Sequence, residues 1–290
     1  MSLVLPTFLI PGAGKSGTSF LADVLSKHKD IFMSISKEPA FFSTYKSSGN
    51  YHRGIEFYQK NFWEYKGEKH IGEASTIYMY DPESPKLIKK HIPDVKLIFI
   101  LRNPIERIYS NYWQDIKAGE RLPDFHKMVL QRTPRIEEMI YVSRYDIHLK
   151  RYLNYFHRKQ IQILLYDNLK RDPLQCINEA LTFLELPPFN ELPTINKVNP
   201  SAVPQFRLLS RILRNETLTQ NIKAITPSPL IIFLKRILDK MRKLVLKPIV
   251  YPPMDKKAWD YLAKEFSEPI KNMSKIVGIS LIHWLEYPYK

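Results

Sequence analysis

Short apolar runs alternate with amphipathic segments along the 290 residues, the pattern expected of repeated strand–helix units. Thr7 to Ile10 reads as a buried strand. Phe20, Leu21, Val24 and Leu25 share one face of a helix predicted from Thr18 to His28. Ile31–Met33 and His70–Gly72 are short strands. The clearest strand is Lys96–Leu101 (KLIFIL), an unbroken apolar run after its lysine. Asn103 then supplies an N-cap and Pro104 the first helical position, so a helix runs through Trp113. Ile161–Leu165 is a further strand. Asp172 and Pro173 open another helix, with Leu174, Ile177, Leu181 and Leu184 as its apolar positions. Pro187 to Pro204 carries five prolines and reads as loop, and a last helix spans Asp255 to Val277. No internal repeat or low-complexity tract interrupts this order. The expectation is one α/β domain over residues 1–290, with a central, mainly parallel sheet flanked by helices and a basic, looser C-terminal third at about 205–250.

Hydrophobic residues at 44% and charged residues at 25% are globular usage, so disorder as the main theme is excluded. The single cysteine, Cys176, excludes a disulfide framework and a thiolate metal cluster and makes a cytoplasmic setting the default. The longest apolar run, Leu230–Leu234, falls far short of the roughly 18–20 residues of a membrane span. Met1–Ile10 lacks a basic leader and reads as a strand, not a secretion signal. The net charge of +15 favours anionic partners: nucleic acid, phosphate-bearing cofactors, acidic polysaccharide or lipid headgroups. Residues 207–247 concentrate it, with ten Lys/Arg against only Glu216 and Asp239. The amphipathic part of that stretch, residues 230–250, suits peripheral contact with an anionic membrane or an acidic polymer.

Between the first strand and the first helix stands Pro11-Gly12-Ala13-Gly14-Lys15-Ser16-Gly17-Thr18-Ser19. Glycines let backbone N–H groups approach an anion, a helix N-terminus adds free donors, and Lys15 adds a charge. The loop departs from the Walker A pattern: its first glycine would fall at Leu9, and Gly17 interrupts the first helical turn. The strand KLIFIL ends on Arg102, not on an aspartate able to hold magnesium. A P-loop kinase or nucleotide hydrolase is therefore the alternative, not the first choice. No recognised nucleic-acid-binding motif accompanies the charge.

Lys15-Ser16-Gly17-Thr18-Ser19 resembles the 5′-phosphosulfate loop of sulfotransferases that use 3′-phosphoadenosine 5′-phosphosulfate (PAPS). Leu101-Arg102-Asn103-Pro104-Ile105-Glu106-Arg107-Ile108-Tyr109-Ser110 resembles their 3′-phosphate motif, about 90 residues further on. Lys37-Glu38-Pro39-Ala40-Phe41-Phe42, Gly72-Glu73-Ala74-Ser75-Thr76-Ile77-Tyr78 and Tyr251-Pro252-Pro253-Met254-Asp255 extend the likeness to the heparan sulfate glucosaminyl (N-/3-O-) sulfotransferases and their bacterial relatives. The resemblance implies the P-loop-like sulfotransferase fold, PAPS as donor and 3′-phosphoadenosine 5′-phosphate (PAP) as product.

It implies roles residue by residue. Lys15, Ser16, Gly17, Thr18 and Ser19 hold the phosphosulfate, and Lys15 stabilises charge on the departing phosphate. Arg102 and Ser110 hold the 3′-phosphate. That pairing also has a physical basis, since a strand-end arginine and a hydroxyl on the following helix suit a phosphate monoester. Glu38 is the general base that takes the acceptor's proton. Lys37 and Glu73 are substrate-side candidates, with Glu73 open equally as a second acid/base or a strand-end structural residue, and Lys247 and Arg207 are further loop candidates for the cofactor. No metal is implied; the eight histidines form no H-x-x-x-H pair. The acceptor expected is a sugar hydroxyl or amine on a glycan or glycolipid. Two departures fall beside it: Ala40 stands where some heparan relatives carry histidine, and Ala74 where they carry lysine.

Overall fold

A computed structural model describes residues 3–45, 48–194 and 251–289, together with the backbone of 202–204 and 246–248. Five strands, β1 (Phe8–Gly12), β2 (Ile31–Met33), β3 (His70–Ala74), β4 (Lys96–Leu101) and β5 (Ile161–Leu165), form one sheet in the order β2-β3-β1-β4-β5. Every neighbouring pair is parallel. The expected bounds hold for β2, β4 and β5. β1 and β3 each run two residues further at their carboxyl ends, towards the loops that matter most below.

Alternation along the strands divides the interior into two cores. Phe8, Ile10, Ile98 and Ile100 face one side, against Leu21, Val24 and Leu25 of α1 (Thr18–Leu25) and Ile177, Ala180 and Leu181 of α9 (Pro173–Phe183). Leu9, Leu97, Phe99 and Leu101 face the other. There they meet α3 (Ser84–His91), α4 (Pro104–Lys117), α7 (Tyr145–Leu153) and α10 (Lys256–Val277). Burial on both faces explains why KLIFIL reads as one apolar run instead of an alternating one. The chain also forms α2 (Ile55–Gln59), α5 (Phe125–Leu130), α6 (Pro134–Val142) and α8 (Tyr166–Arg171).

Helix ends follow their local chemistry. α1 stops at Leu25, three residues before expectation, because its last turn tightens: the amides of Lys27 and His28 donate to Val24 and Leu25, at 3.0 Å each. α4 continues past Trp113 to Lys117 and ends before Gly119, at φ 91°. Asp255 caps α10, its Oδ1 accepting from Lys257 and Ala258 N–H at 2.9 and 3.1 Å. Gly278, at φ 83°, closes that helix. β6 (Ala202–Pro204) and β7 (Leu246–Pro248) pair antiparallel, apart from the main sheet. Most of the basic segment 207–247, Arg207 included, lies outside the described residues, and of Lys247 only the backbone, on β7, is described. Among the described residues no helix is long and apolar enough to cross a membrane.

Gly72 sits where β3 is crossed by a neighbour's ring. A Cβ there would lie 2.2 Å from Phe8 Cζ and 2.3 Å from Met33 Sδ. Gly72→Ala is expected to cost about 1–3 kcal/mol of stability by overpacking. Urea unfolding measures it, and an unchanged midpoint would count against this packing.

Candidate functional site

The loop after β1 is stitched to the sheet by Ala13 N–H, which donates to Ile100 O at 2.8 Å. Lys15 adopts φ 71° and Gly17 φ 94°, so the chain turns sharply before α1 begins. Gly17 is the residue before the helix, and no side chain caps α1. Its first-turn N–H groups therefore keep their capacity for an anion. Glycine is required at 17 for two reasons. The backbone is left-handed, and a Cβ would lie 2.8 Å from Leu169 Cδ2 on α8. The Ser16 hydroxyl is buried without a hydrogen-bond partner, as is that of Tyr145. A buried donor left open beneath a phosphate loop suits a ligand oxygen.

Arg102 leaves the carboxyl end of β4 and meets this loop. Its Nε and Nη2 both lie 3.0 Å from Glu106 Oε2, its Nη1 lies 3.5 Å from Lys15 O, and its guanidinium stands 5.0 Å over the Tyr166 ring. Arg102 thus makes an i,i+4 ion pair on α4 and still reaches the loop. Ser110, half-buried, is one turn beyond Glu106 on the same face of α4. The strand ends are clamped from behind by the 3-10 turn Ile282–Leu285. Asn103 caps α4 through Oδ1 and donates from Nδ2 to Trp284 O at 2.7 Å. Trp284 Nε1 donates to Asp167 Oδ2 at 2.7 Å, so the ends of β4 and β5 share one anchor.

Lys15 stands in a field of like charge. Burial first, then Lys117, Arg102 and Arg107, lower its pKa to about 8, with Asp115 opposing. Arg107 is buried and bonds neutral groups: Ser143 Oγ at 3.1 Å, Met139 O at 3.4 Å and Asn111 Oδ1. Its Nε has no partner, and burial lowers its pKa. Asp115 is committed elsewhere, to Arg135 at 2.8 and 2.6 Å.

On the other side of the loop lies a cleft. It is lined by Thr18 and Ser19 of α1, by residues 33–38, and by Ala74 and Thr76. Glu38 and Lys37 are both exposed in it. Glu38 holds φ 53° and accepts from Thr76 Oγ1 at Oε2, 3.1 Å away. The same Thr76 Oγ1 packs over Gly14, 3.5 Å from where its Cβ would be. Thr76 therefore joins Glu38 to the phosphate loop.

Of the residues singled out from the sequence, Thr18, Ser19, Lys37 and Glu38 come together in the cleft, and Lys15 and Arg102 meet behind the loop. Gly17 shapes the turn, and Ser16 lies beneath it. Glu73 is not on the cleft wall: it is completely buried behind it. Sequence reasoning passed over Thr76, Tyr80, Arg107 and Lys117. Tyr80 has its pKa pushed up to about 12, by burial first, with the charge of Glu38 adding and that of Arg107 opposing. Arg107 was visible inside the motif. Lys117 was not, since it becomes a neighbour of Lys15 only once α4 packs.

Residues 5–199 match the sulfotransferase domain family. The chain is 39% identical over 122 residues to the membrane-associated sulfotransferase kil1 of Dictyostelium discoideum, 41% of this chain and 25% of that protein. It is 33% identical over 193 residues to heparan sulfate glucosamine 3-O-sulfotransferase 5 of Mus musculus, 63% of this chain and 54% of that one. The chain thus spans from a quarter to about half the length of these curated relatives. The crystal structure of a sulfotransferase from Alicyclobacillus acidocaldarius superposes with a TM-score of 0.70 at 22% identity, over 98% of this chain and 100% of that one, which shows the fold.

Because position 17 is both left-handed and tightly packed, Gly17→Ala is expected to lower stability by about 1–3 kcal/mol. Thermal melting checks this, and a melt equal to the wild type would refute the packing of the loop on α8.

Proposed function

The chain belongs to the sulfotransferase domain family, and on that premise we propose that it moves a sulfuryl group from PAPS to a hydroxyl or amine of a carbohydrate or glycolipid acceptor. One observation carries the reading. A carboxylate, Glu38, is bonded to Thr76, whose Oγ1 packs on Gly14 of the loop, and the next residue of that loop is a crowded cation, Lys15. That pairing supplies an acid–base group and a charge acceptor at the two ends of an in-line transfer.

The residues present suit a doubly phosphorylated donor. Lys15, the open N-terminus of α1 and the unpartnered Ser16 hydroxyl suit the phosphosulfate end. Arg102 and Ser110 suit the 3′-phosphate. Bound there, the donor supplies an activated sulfuryl group. Thr76 holds Oε2 of Glu38, so Oε1 is the oxygen we assign to the acceptor's proton. Lys15, protonated below its pKa of about 8, neutralises charge on the departing phosphate. The carbohydrate acceptor is supported by the relative whose name specifies heparan sulfate glucosamine. Lys37, exposed beside the base, suits an anionic sugar. Ala74 on the cleft wall and Ala40 behind it make the pocket less charged than heparan-type motifs do, which argues for an acceptor other than heparan itself.

Two experiments test the reading. In calorimetric titration without magnesium, PAP is expected to bind in the micromolar range and adenosine 5′-phosphate far more weakly, with Arg102→Ala removing most of the difference. Bound phosphate raises the pKa of Lys15, so binding takes up a proton near pH 8. Affinity then falls as pH rises above 8, by up to about tenfold per unit. No binding, or a preference for magnesium-ATP, would return the choice to a P-loop phosphotransferase.

Glu38→Gln is expected to retain PAP affinity within about twofold and to lose at least about a hundredfold in turnover. Wild-type turnover in that variant would remove Glu38 as the base.

A further inference from the structure

Glu73 takes no part in the steps above, yet its buried carboxylate accepts three side-chain hydrogen bonds. It lies one residue before the end of β3, with 0% exposure. Three hydroxyls donate to it: Tyr58 of α2 at 2.9 Å, Tyr78 at 3.0 Å, and Ser75 in a very short bond. Two of these hydroxyls also accept a backbone amide from the segment that carries Glu38. Ala40 N–H donates to Ser75 Oγ at 2.8 Å, and Phe42 N–H to Tyr78 Oη at 3.2 Å.

A hydroxyl has one hydrogen to give. An ionised carboxylate can only accept, so it draws the hydrogens of Ser75 and Tyr78 onto itself. Their lone pairs then point at the amides of Ala40 and Phe42. That segment needs holding, because Glu38 and Ala40 have φ 53° and 52°, in the left-handed region that non-glycine residues disfavour. A side chain at 73 carrying its own hydrogen reverses one of the three bonds. Where the hydroxyl that must then accept is Ser75 or Tyr78, its freed hydrogen competes with the amide it holds; a reversal at Tyr58 disturbs neither amide.

We propose that Glu73 is a positioning residue: its carboxylate sets the direction of two hydroxyl hydrogen bonds and so holds the Glu38 segment in its strained turn. Its bearing on turnover rests on Glu38 being the base assigned above; the hydrogen-bond direction does not.

The arrangement is sensitive to protonation. The groups facing the Glu73 carboxyl are Ser75, Tyr58, Tyr78 and Tyr152 of α7, with Glu38 as the nearby charge. Burial pushes its pKa up to about 7, Glu38 adds to the rise, and the three hydroxyls oppose it. The Glu38 segment is therefore held most firmly above pH 7.

Amide exchange followed by NMR on the full chain tests this directly. Glu73→Gln is expected to lower protection of one of the two amides by about tenfold or more, Ala40 where its NH2 faces Ser75 and Phe42 where it faces Tyr78. Ser75→Ala affects Ala40 alone, and Tyr78→Phe affects Phe42 alone. In the wild type, protection of at least one of the two amides falls as pH drops from 8 to 6, and in Glu73→Gln that dependence is flat. PAP affinity stays within about twofold of wild type, while kcat on any acceptor the wild type sulfates drops by about tenfold or more at unchanged donor KM. Wild-type protection at both amides in Glu73→Gln overturns the proposal. Should that variant not fold, wild-type protection of Ala40 in Ser75→Ala and of Phe42 in Tyr78→Phe overturns it equally. A wild-type chain that binds no PAP refutes the functional reading and leaves the exchange result to decide this one.

Discussion

A parallel sheet covered on both faces leaves only its strand ends for chemistry. Here the covering is complete at the centre: Phe8, Leu9, Ile10 and every residue from Leu97 to Leu101 have no exposed surface. The carboxyl ends of β1, β3 and β4 therefore converge on one edge, and each delivers part of the site. β1 runs into the phosphate loop, β3 into Ser75 and Thr76, and β4 into Arg102. The order β2-β3-β1-β4-β5 places β1 between the other two, so its loop lies between Arg102 after β4 and Thr76 after β3 and touches both. Neither half could be moved without re-registering a central strand.

The edge is held in a state that neighbouring groups only partly satisfy. Lys15 and Arg107 face each other's charge, Ser16 and Tyr145 keep unpartnered hydroxyls, and Lys15, Glu38 and Ala40 sit at positive φ. Each is a local cost of about 1–3 kcal/mol that surrounding packing must offset. The rigid backing shows how. Trp284 ties Asn103 to Asp167, Tyr109 Oη donates to Pro252 O at 2.9 Å, and Tyr287 Oη donates to Met254 O at 2.7 Å. The C-terminal residues thus brace the strand ends from the far side. The motif Tyr251–Asp255 belongs to this bracing and to the cap of α10, as well as to the family likeness.

What could be read from the chain divides along physical lines. β4 was legible to the residue because double-sided burial writes itself as an apolar run after its lysine, and β5 has its expected bounds although Gln162 interrupts its apolar positions at the sheet's edge. The starts of α4 and α9 were legible from Asn103-Pro104 and Asp172-Pro173, where cap and proline act locally. The loop at Lys15 and the strand-end Arg102 were legible for the same reason: spacing and position within a strand–helix unit carry the chemistry. For Glu73 the chain left a substrate-side and a strand-end structural reading open, because only the third dimension brings Tyr58 and Tyr78 around it. Thr76 and Lys117 were missed on the same ground. The importance of Lys117 is its distance to Lys15, which nothing in its neighbourhood along the chain encodes; Thr76 stood within a quoted motif, but its bond to Glu38 shows only in the fold.

The two titrating groups nearest the site pull on stability in opposite directions, and their signs meet where the site must work. Glu73, with its pKa raised from 4.5 to about 7, binds more protons folded than unfolded between those values. Its contribution is intact below about pH 4.5 and is lost as pH rises to 7. Lys15, with its pKa lowered from 10.5 to about 8, binds fewer protons folded than unfolded between 8 and 10.5, so its contribution rises across that window. Between about pH 7 and 8 both charges are present at their full cost: an anionic Glu73 beside the Glu38 segment, and a cationic Lys15 with too many cations for neighbours. The first cost is offset by three hydroxyls inside the fold. The second has no equivalent inside the fold, since Asp115 is already engaged by Arg135. It is relieved by an anion at the phosphate loop, so the unliganded edge is destabilised in the sense that favours anion binding.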